Sequence, residues 1–97
     1  MTPEQAAKDR SDLATALGGD WTVEIELTTL WSVTLSGLVA TSPGCIVAVE
    51  CKAGWWLLYH RPPLRNIFRG CVYRKDGIAA LAARIRAIAS EQEPRPV

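Results

Sequence analysis

The 97-residue sequence is poor in the side chains that build most active and metal sites: it has one histidine, His60, and three cysteines, Cys45, Cys51 and Cys71. One histidine and scattered thiols do not make a zinc set of the usual spacing. A phosphate-cradling glycine loop, a dinucleotide fingerprint and a hydrolase elbow are also missing, so no cofactor is expected. No apolar run approaches the roughly 18 residues of a membrane span. The first twelve residues are polar and charged, unlike a signal peptide. An odd cysteine count argues against a secreted disulfide framework. Set in apolar, strand-like stretches, the thiols read as small buried hydrophobes in a reducing compartment. The expected location is cytoplasmic, with no membrane partner.

What is present fits one globular domain. The chain is 48% hydrophobic and 22% charged, far from a disordered composition, and its length leaves no room for a second core. Net charge is only +1 but unevenly spread: residues 1–50 carry seven acids and two bases, residues 51–97 nine bases and three acids. The halves either neutralise each other across the fold or present opposite faces to different partners.

Thr2, Pro3 and Gln5 form a helix start, with a capping hydroxyl, a proline at the first helical position and a capping-box spacing. Ala6, Ala7, Leu13, Ala14 and Leu17 supply an apolar stripe, and Gly18-Gly19 ends the helix. From Trp21 to Thr28 the pattern alternates: Trp21, Val23, Ile25 and Leu27 against Thr22, Glu24, Glu26 and Thr28. A second alternating run follows, with Trp31, Val33 and Leu35 against Ser32, Thr34 and Ser36. A turn or sharp bend near residues 28–30 is preferred over a bulge in one long strand.

Thr41-Ser42-Pro43-Gly44 marks a turn. Cys45 to Cys51 then reads as a central strand covered on at least one side by a helix. Lys52-Ala53-Gly54 is the next turn, and Trp55 to Tyr59 a strand with apolar groups on both faces, stopped by Arg61-Pro62-Pro63. Ile67 to Tyr73 forms a less regular strand around Gly70. A final helix runs from Ile78 to about Ser90 behind Asp76 as cap, with Ile78, Leu81, Ala82, Ile85, Ile88 and Ala89 on one face and Arg84 and Arg86 toward solvent. The fold class is therefore α+β: an antiparallel sheet of four or five strands with the two terminal helices packed on it. Residues 1–90 form the single domain and 91–97 a flexible tail.

Several residue groups invite a functional reading. Trp55 and Trp56 are adjacent and point to opposite faces of their strand. If the helices cover one face only, one tryptophan stands on the other, and Trp56 with Leu58 is the expected apolar patch; Trp55, Trp56 and Leu58 are the protein-interaction candidates. From Lys52 to Lys75 there are six cations and no acid. Tyr59, His60, Arg61, Arg65, Phe68, Arg69, Arg74 and Lys75 there combine phosphate-binding charge with stacking rings, the ingredients of a nucleic-acid surface. The alternative is that these cations pair with Glu24, Glu26 and neighbouring acids.

The run Ile46-Val47-Ala48-Val49-Glu50-Cys51-Lys52 puts Glu50 and Lys52 on one face of a strand. It resembles the second half of the restriction-endonuclease-like nuclease motif. The resemblance implies a Mg²⁺ site at Glu50 beside Lys52, completed by an earlier acid from among Asp20, Glu24 and Glu26. Where that family continues with a helix, a tryptophan-rich strand follows here. Glu24 and Glu26 also suit a plain solvated strand face. A Cys–His nucleophile pair requires Cys51 or Cys71 to fold beside His60.

The leading expectation is a small non-enzymatic protein-interaction module (adaptor, inhibitor or assembly factor) whose partner is another protein or a second copy in a homodimer. The alternatives are a nucleic-acid-binding protein using residues 59–75 and a metal-dependent nuclease.

Overall fold

The computed structural model describes residues 2–61 and 66–92. Pro62, Pro63, Leu64 and Arg65 lie outside the described residues, as does the tail from 93 to 97.

Helix α1 (Pro3–Leu17) begins as its caps dictate: the Gln5 N–H donates to the Thr2 hydroxyl at 3.1 Å, and Pro3 fills the first turn. It ends at Gly18, whose N–H donates to the Ala14 carbonyl at 2.9 Å and whose φ of +59° suits glycine. Its buried stripe is Ala6, Asp9, Leu13 and Leu17, at spacings of three and four residues, and Ala7 is exposed instead. Asp9 is the one charged residue on that stripe.

Five strands follow: β1 (Thr22–Leu30), β2 (Val33–Ser42), β3 (Cys45–Lys52), β4 (Trp55–His60) and β5 (Ile67–Tyr73). They form one antiparallel sheet in sequence order, as short connections require. The first hairpin turns at Trp31 and Ser32, not at 28–30, because Thr28 to Leu30 continue the ladder against Val33 to Leu35. Both turn residues have positive φ, +52° and +66°, a type I′ geometry.

A single 3-10 turn (Arg74–Asp76) leads into α2 (Gly77–Gln92). Asp76 belongs to that turn, and Glu91 and Gln92, expected in the tail, are helical. The helices pack on each other and on one face of the sheet, α1 against β1 and β2, α2 against β3, β4 and β5. The core they close holds Leu13, Leu17, Val23, Leu38, Ala40, Val47, Val49, Trp56, Leu58, Leu81, Ile85 and Ile88.

Two arginines tie the layers together. The Arg86 guanidinium donates to the Ala16 and Leu17 carbonyls at the end of α1, where a cation meets the helix dipole, although sequence pattern placed it toward solvent. Arg74 donates to Asp9 at 2.9 Å and to the Cys51 Sγ at 3.4 Å, with its guanidinium 4.8 Å from the Trp56 ring centre. Burial works against the Arg74 charge, but the bonds to Asp9 and Cys51 outweigh it and hold the guanidinium above its ordinary pKa.

Candidate functional site

Side chains alternate along each strand, so the register divides the sheet into two faces. The face toward the helices carries Val23, Leu38, Ala40, Val47, Val49, Cys51, Trp56 and Leu58. The other carries Thr22, Glu24, Glu26, Gly37, Val39, Ile46, Ala48, Glu50, Lys52, Trp55, Leu57, Tyr59, Phe68, Cys71 and Tyr73, and no described element packs over it.

The expected patch of Trp56 and Leu58 is therefore corrected: Trp56 is 2% and Leu58 0% exposed, because α2 packs on their side of β4. The tryptophan on the open side is Trp55. Its ring stacks on Tyr73 across the β4–β5 pair, with centroids 3.5 Å apart and planes inclined by 29°. Lys75 sits over the other partner, its Nζ 4.8 Å from the Tyr73 ring centre. Tyr59 meets Phe68 edge-on at 5.6 Å. Leu57 and Cys71, paired between these two contacts, complete an aromatic and aliphatic strip along β4 and β5. Phe68 is 56% exposed.

Beside the strip lies a recess of about 240 Å³ lined by Glu26, Gly37, Ala48, Glu50, Tyr59, Arg61 and Asn66 among others. Gly37 makes it possible. A Cβ there would come within 3.0 Å of the Val49 carbonyl oxygen, so β2 and β3 approach closely only without a side chain, and the floor stays open. Arg61 closes one side by reaching Glu26 through two bonds of 2.7 and 3.1 Å and Asn66 through one of 3.0 Å.

The nucleic-acid candidates assemble only in part: Arg61 reaches Glu26 and Lys75 lies over Tyr73 on the open face. Tyr59 and Phe68 share the open face, but His60 pairs with Ile67 and belongs by register to the helix side. Arg61 is taken by Glu26, Arg69 by Glu91 and Arg74 by Asp9. Two of these pairs, Arg61–Glu26 and Arg74–Asp9, join the acidic and basic halves of the sequence, while Arg69–Glu91 lies within the basic half; of the two glutamates on β1, only Glu26 forms an ion pair among the described residues. Arg65 lies outside the described residues.

The metal candidates Glu24, Glu26, Glu50 and Lys52 do share the open face. Glu26 and Glu50 flank Gly37 two strands apart, about 10 Å at the backbone by strand spacing. Glu26 is engaged by Arg61, and no cluster of three metal-ligating side chains occurs among the described residues. Asp20 is exposed in the turn ahead of β1. The Cys–His pair is not formed either. Cys51 stands opposite Trp56, four residues from His60, and Cys71 is on the other face.

The thiols also differ from the expectation of uniform burial: Cys45 is buried, Cys51 half-buried and Cys71 exposed, all three free. Burial pushes the Cys45 thiol up from its ordinary pKa. Sequence reasoning missed Asp9 as the partner of Arg74. The available signal was an acid at a core position of the α1 stripe. Among the described residues no helix is long and apolar enough to cross a membrane. No family model matches this chain, and no curated protein and no solved structure matches it.

Proposed function

We propose that this chain is a non-enzymatic protein-interaction module that docks another protein on the open face of its sheet. The observation that carries the reading is the pair of ring contacts, Trp55–Tyr73 and Tyr59–Phe68, standing on a face that no described element covers. Aromatic side chains supply large contact area at small entropic cost and are enriched at interface centres. Glu24 and Glu50 make no ion pair among the described residues. The complementary surface is accordingly apolar with lysine or arginine at its rim.

No observation favours the nucleic-acid reading over this one, since three of its cations are already partnered. The test is affinity capture from the source cells with the wild type and with a Phe68→Ser/Tyr73→Ser double variant. The expected result is a stoichiometric partner held by the wild type and lost by the folded double variant. An identical set of bound proteins for both overturns the assignment of this face.

A further inference from the structure

The floor of the recess on the open face is more enclosed than its position on an uncovered sheet implies. Ala48 is 8% exposed although no described element packs over its side of β3. Walls supply the enclosure. The Arg61 N–H donates to the Ile46 carbonyl at 2.8 Å, which seats Arg61 beside the start of β3. From there its side chain crosses β3 and β2 to hold Glu26 on β1, and its Nε donates to Asn66 at 3.0 Å. Tyr59, paired with Ala48, forms the wall on the β4 side. Between these walls Gly37 and Ala48 put nothing longer than a methyl group into the space.

Size and charge narrow the occupant. A volume of about 240 Å³ is below the roughly 300–1,000 Å³ of pockets that enclose whole small ligands, but it holds one extended side chain. The charged groups lining it are Glu26, Glu50 and Arg61, two carboxylates against one guanidinium, a sum of −1. Arg61 is committed to Glu26, while Glu50 makes no ion pair among the described residues. An anion is repelled here, and an apolar group covers Glu50 without compensating its charge. Two carboxylates, one already held, are too few oxygen ligands for a hard divalent ion. One positive charge on a slender apolar stem neutralises the site. An ammonium suits it better than a guanidinium, because its three donors diverge toward carboxylates on opposite sides, whereas the guanidinium fork lies in one plane.

We propose that the recess receives one lysine side chain of the docked partner, its ammonium between Glu50 and Glu26 and its stem against Tyr59. The inference rests on the open face being a docking surface, and it adds the residue by which the partner is recognised. The register gives the route of entry. Glu50, Leu57 and Cys71 lie in one row across β3, β4 and β5, so a partner seated on the aromatic strip extends a side chain over Leu57 to reach the carboxylate.

The same row supplies the test. Cys71 is exposed and stands two strand spacings from Glu50, about 10 Å, a span that a hexyl chain bridges. The full chain is equilibrated under partly reducing conditions with equal amounts of aminohexanethiol, hydroxyhexanethiol and guanidinohexanethiol, each supplied as its disulfide. Mass spectrometry of the digested protein reads which thiol is held at Cys71. The expected result is a several-fold preference for the amine over both others. Glu50→Gln, at an exposed position that leaves the fold intact, abolishes the preference. So does Ala48→Met, which fills the recess without changing charge. Glu24→Gln removes an equal charge from the open face outside the recess and keeps the preference. No preference for the amine, a preference that Glu50→Gln or a folded Ala48→Met retains, or equal selection of the guanidino thiol overturns the proposal. Selection by the amine needs no bound partner, so the two readings fail separately. If the Phe68→Ser/Tyr73→Ser variant loses a captured partner but the wild type shows no selection at Cys71, the lysine site alone is overturned. If selection holds but that variant captures the same proteins as the wild type, the docking reading falls and with it the partner as source of the lysine.

Discussion

The two faces of β4 are built from alternate residues of one short run, Trp55 to Tyr59, yet they do different things. Trp56 and Leu58 are sealed under the helices, while Trp55, Leu57 and Tyr59 stand half-buried on the open side. Stability explains the first set, because each buried large side chain contributes about 1.5–3 kcal/mol. It does not explain the second. A face needed only for solubility would read like β1, with threonine and glutamate in alternation. The excess of rings on the open face is the ground for proposing a partner surface there.

The widest contrast is expected between neighbours. Leu58→Ala should destabilise the domain by about 2–5 kcal/mol, since it opens a cavity in a packed core. Leu57→Ala should cost about 1 kcal/mol or less, because its side chain is only half removed from water. Urea unfolding of both variants checks this, and similar midpoints for the two would contradict the division of faces.

The ion pairs repeat the contrast at smaller scale. Asp9 and Arg74 bridge the helix layer to the sheet with side chains 7% and 23% exposed. Asp9→Ala leaves a largely enclosed guanidinium over Trp56 and should cost about 3 kcal/mol. Glu26 and Arg61 meet on the open face with both side chains at least one-third exposed. Glu26→Gln should cost only about 0.5–1 kcal/mol, less still at high salt. Thermal melts at low and high salt separate the two pairs.

Much of this architecture was legible in the sequence. The Thr2-Pro3 start, the Gly18 stop and the turns at Pro43-Gly44 and Ala53-Gly54 are local signals that the structure follows, whereas the alternation in β1 located the strand but not its end, which lies at Leu30 before a turn at Trp31-Ser32. The choice of face was not legible. Residues 55–59 are apolar at every position, so period-two alternation carries no information there. Only the docking of both helices on one side decides between Trp55 and Trp56. Pairings such as Asp9 with Arg74, 65 residues apart, likewise depend on the assembled fold.

Trp56 sharpens the comparison further, because its indole Nε1 is buried with no hydrogen-bond partner among the described residues. Trp56→Phe loses contact area but also removes an unsatisfied donor, itself a cost of about 1–3 kcal/mol. The two effects oppose, so the net change should lie within about 1 kcal/mol. A loss approaching the roughly 3–5 kcal/mol typical of aromatic truncation to alanine would mean that Nε1 is satisfied after all.

The smallest energetic difference is expected between two thiols, and it reports on both faces at once. Cys45 is buried in the core and its pKa is raised by burial, whereas Cys71 is exposed opposite Leu57. Above the ordinary thiol pKa of 9.0, the unfolded chain has released the Cys45 proton that the folded chain retains. The unfolded state then binds fewer protons, so stability falls as pH rises through that window and is unaffected by this group below it. Cys45→Ala should remove that alkaline slope while leaving stability at neutral pH lower through lost packing. A thiol reagent at neutral pH should modify Cys71 in the native protein and reach Cys45 only when the domain opens. Attaching a bulky maleimide to Cys71 then places an obstacle in the middle of the aromatic strip. It should block partner capture while leaving the unfolding midpoint within about 0.5 kcal/mol of the unmodified protein. Capture that survives this modification would move the docking surface away from β4 and β5.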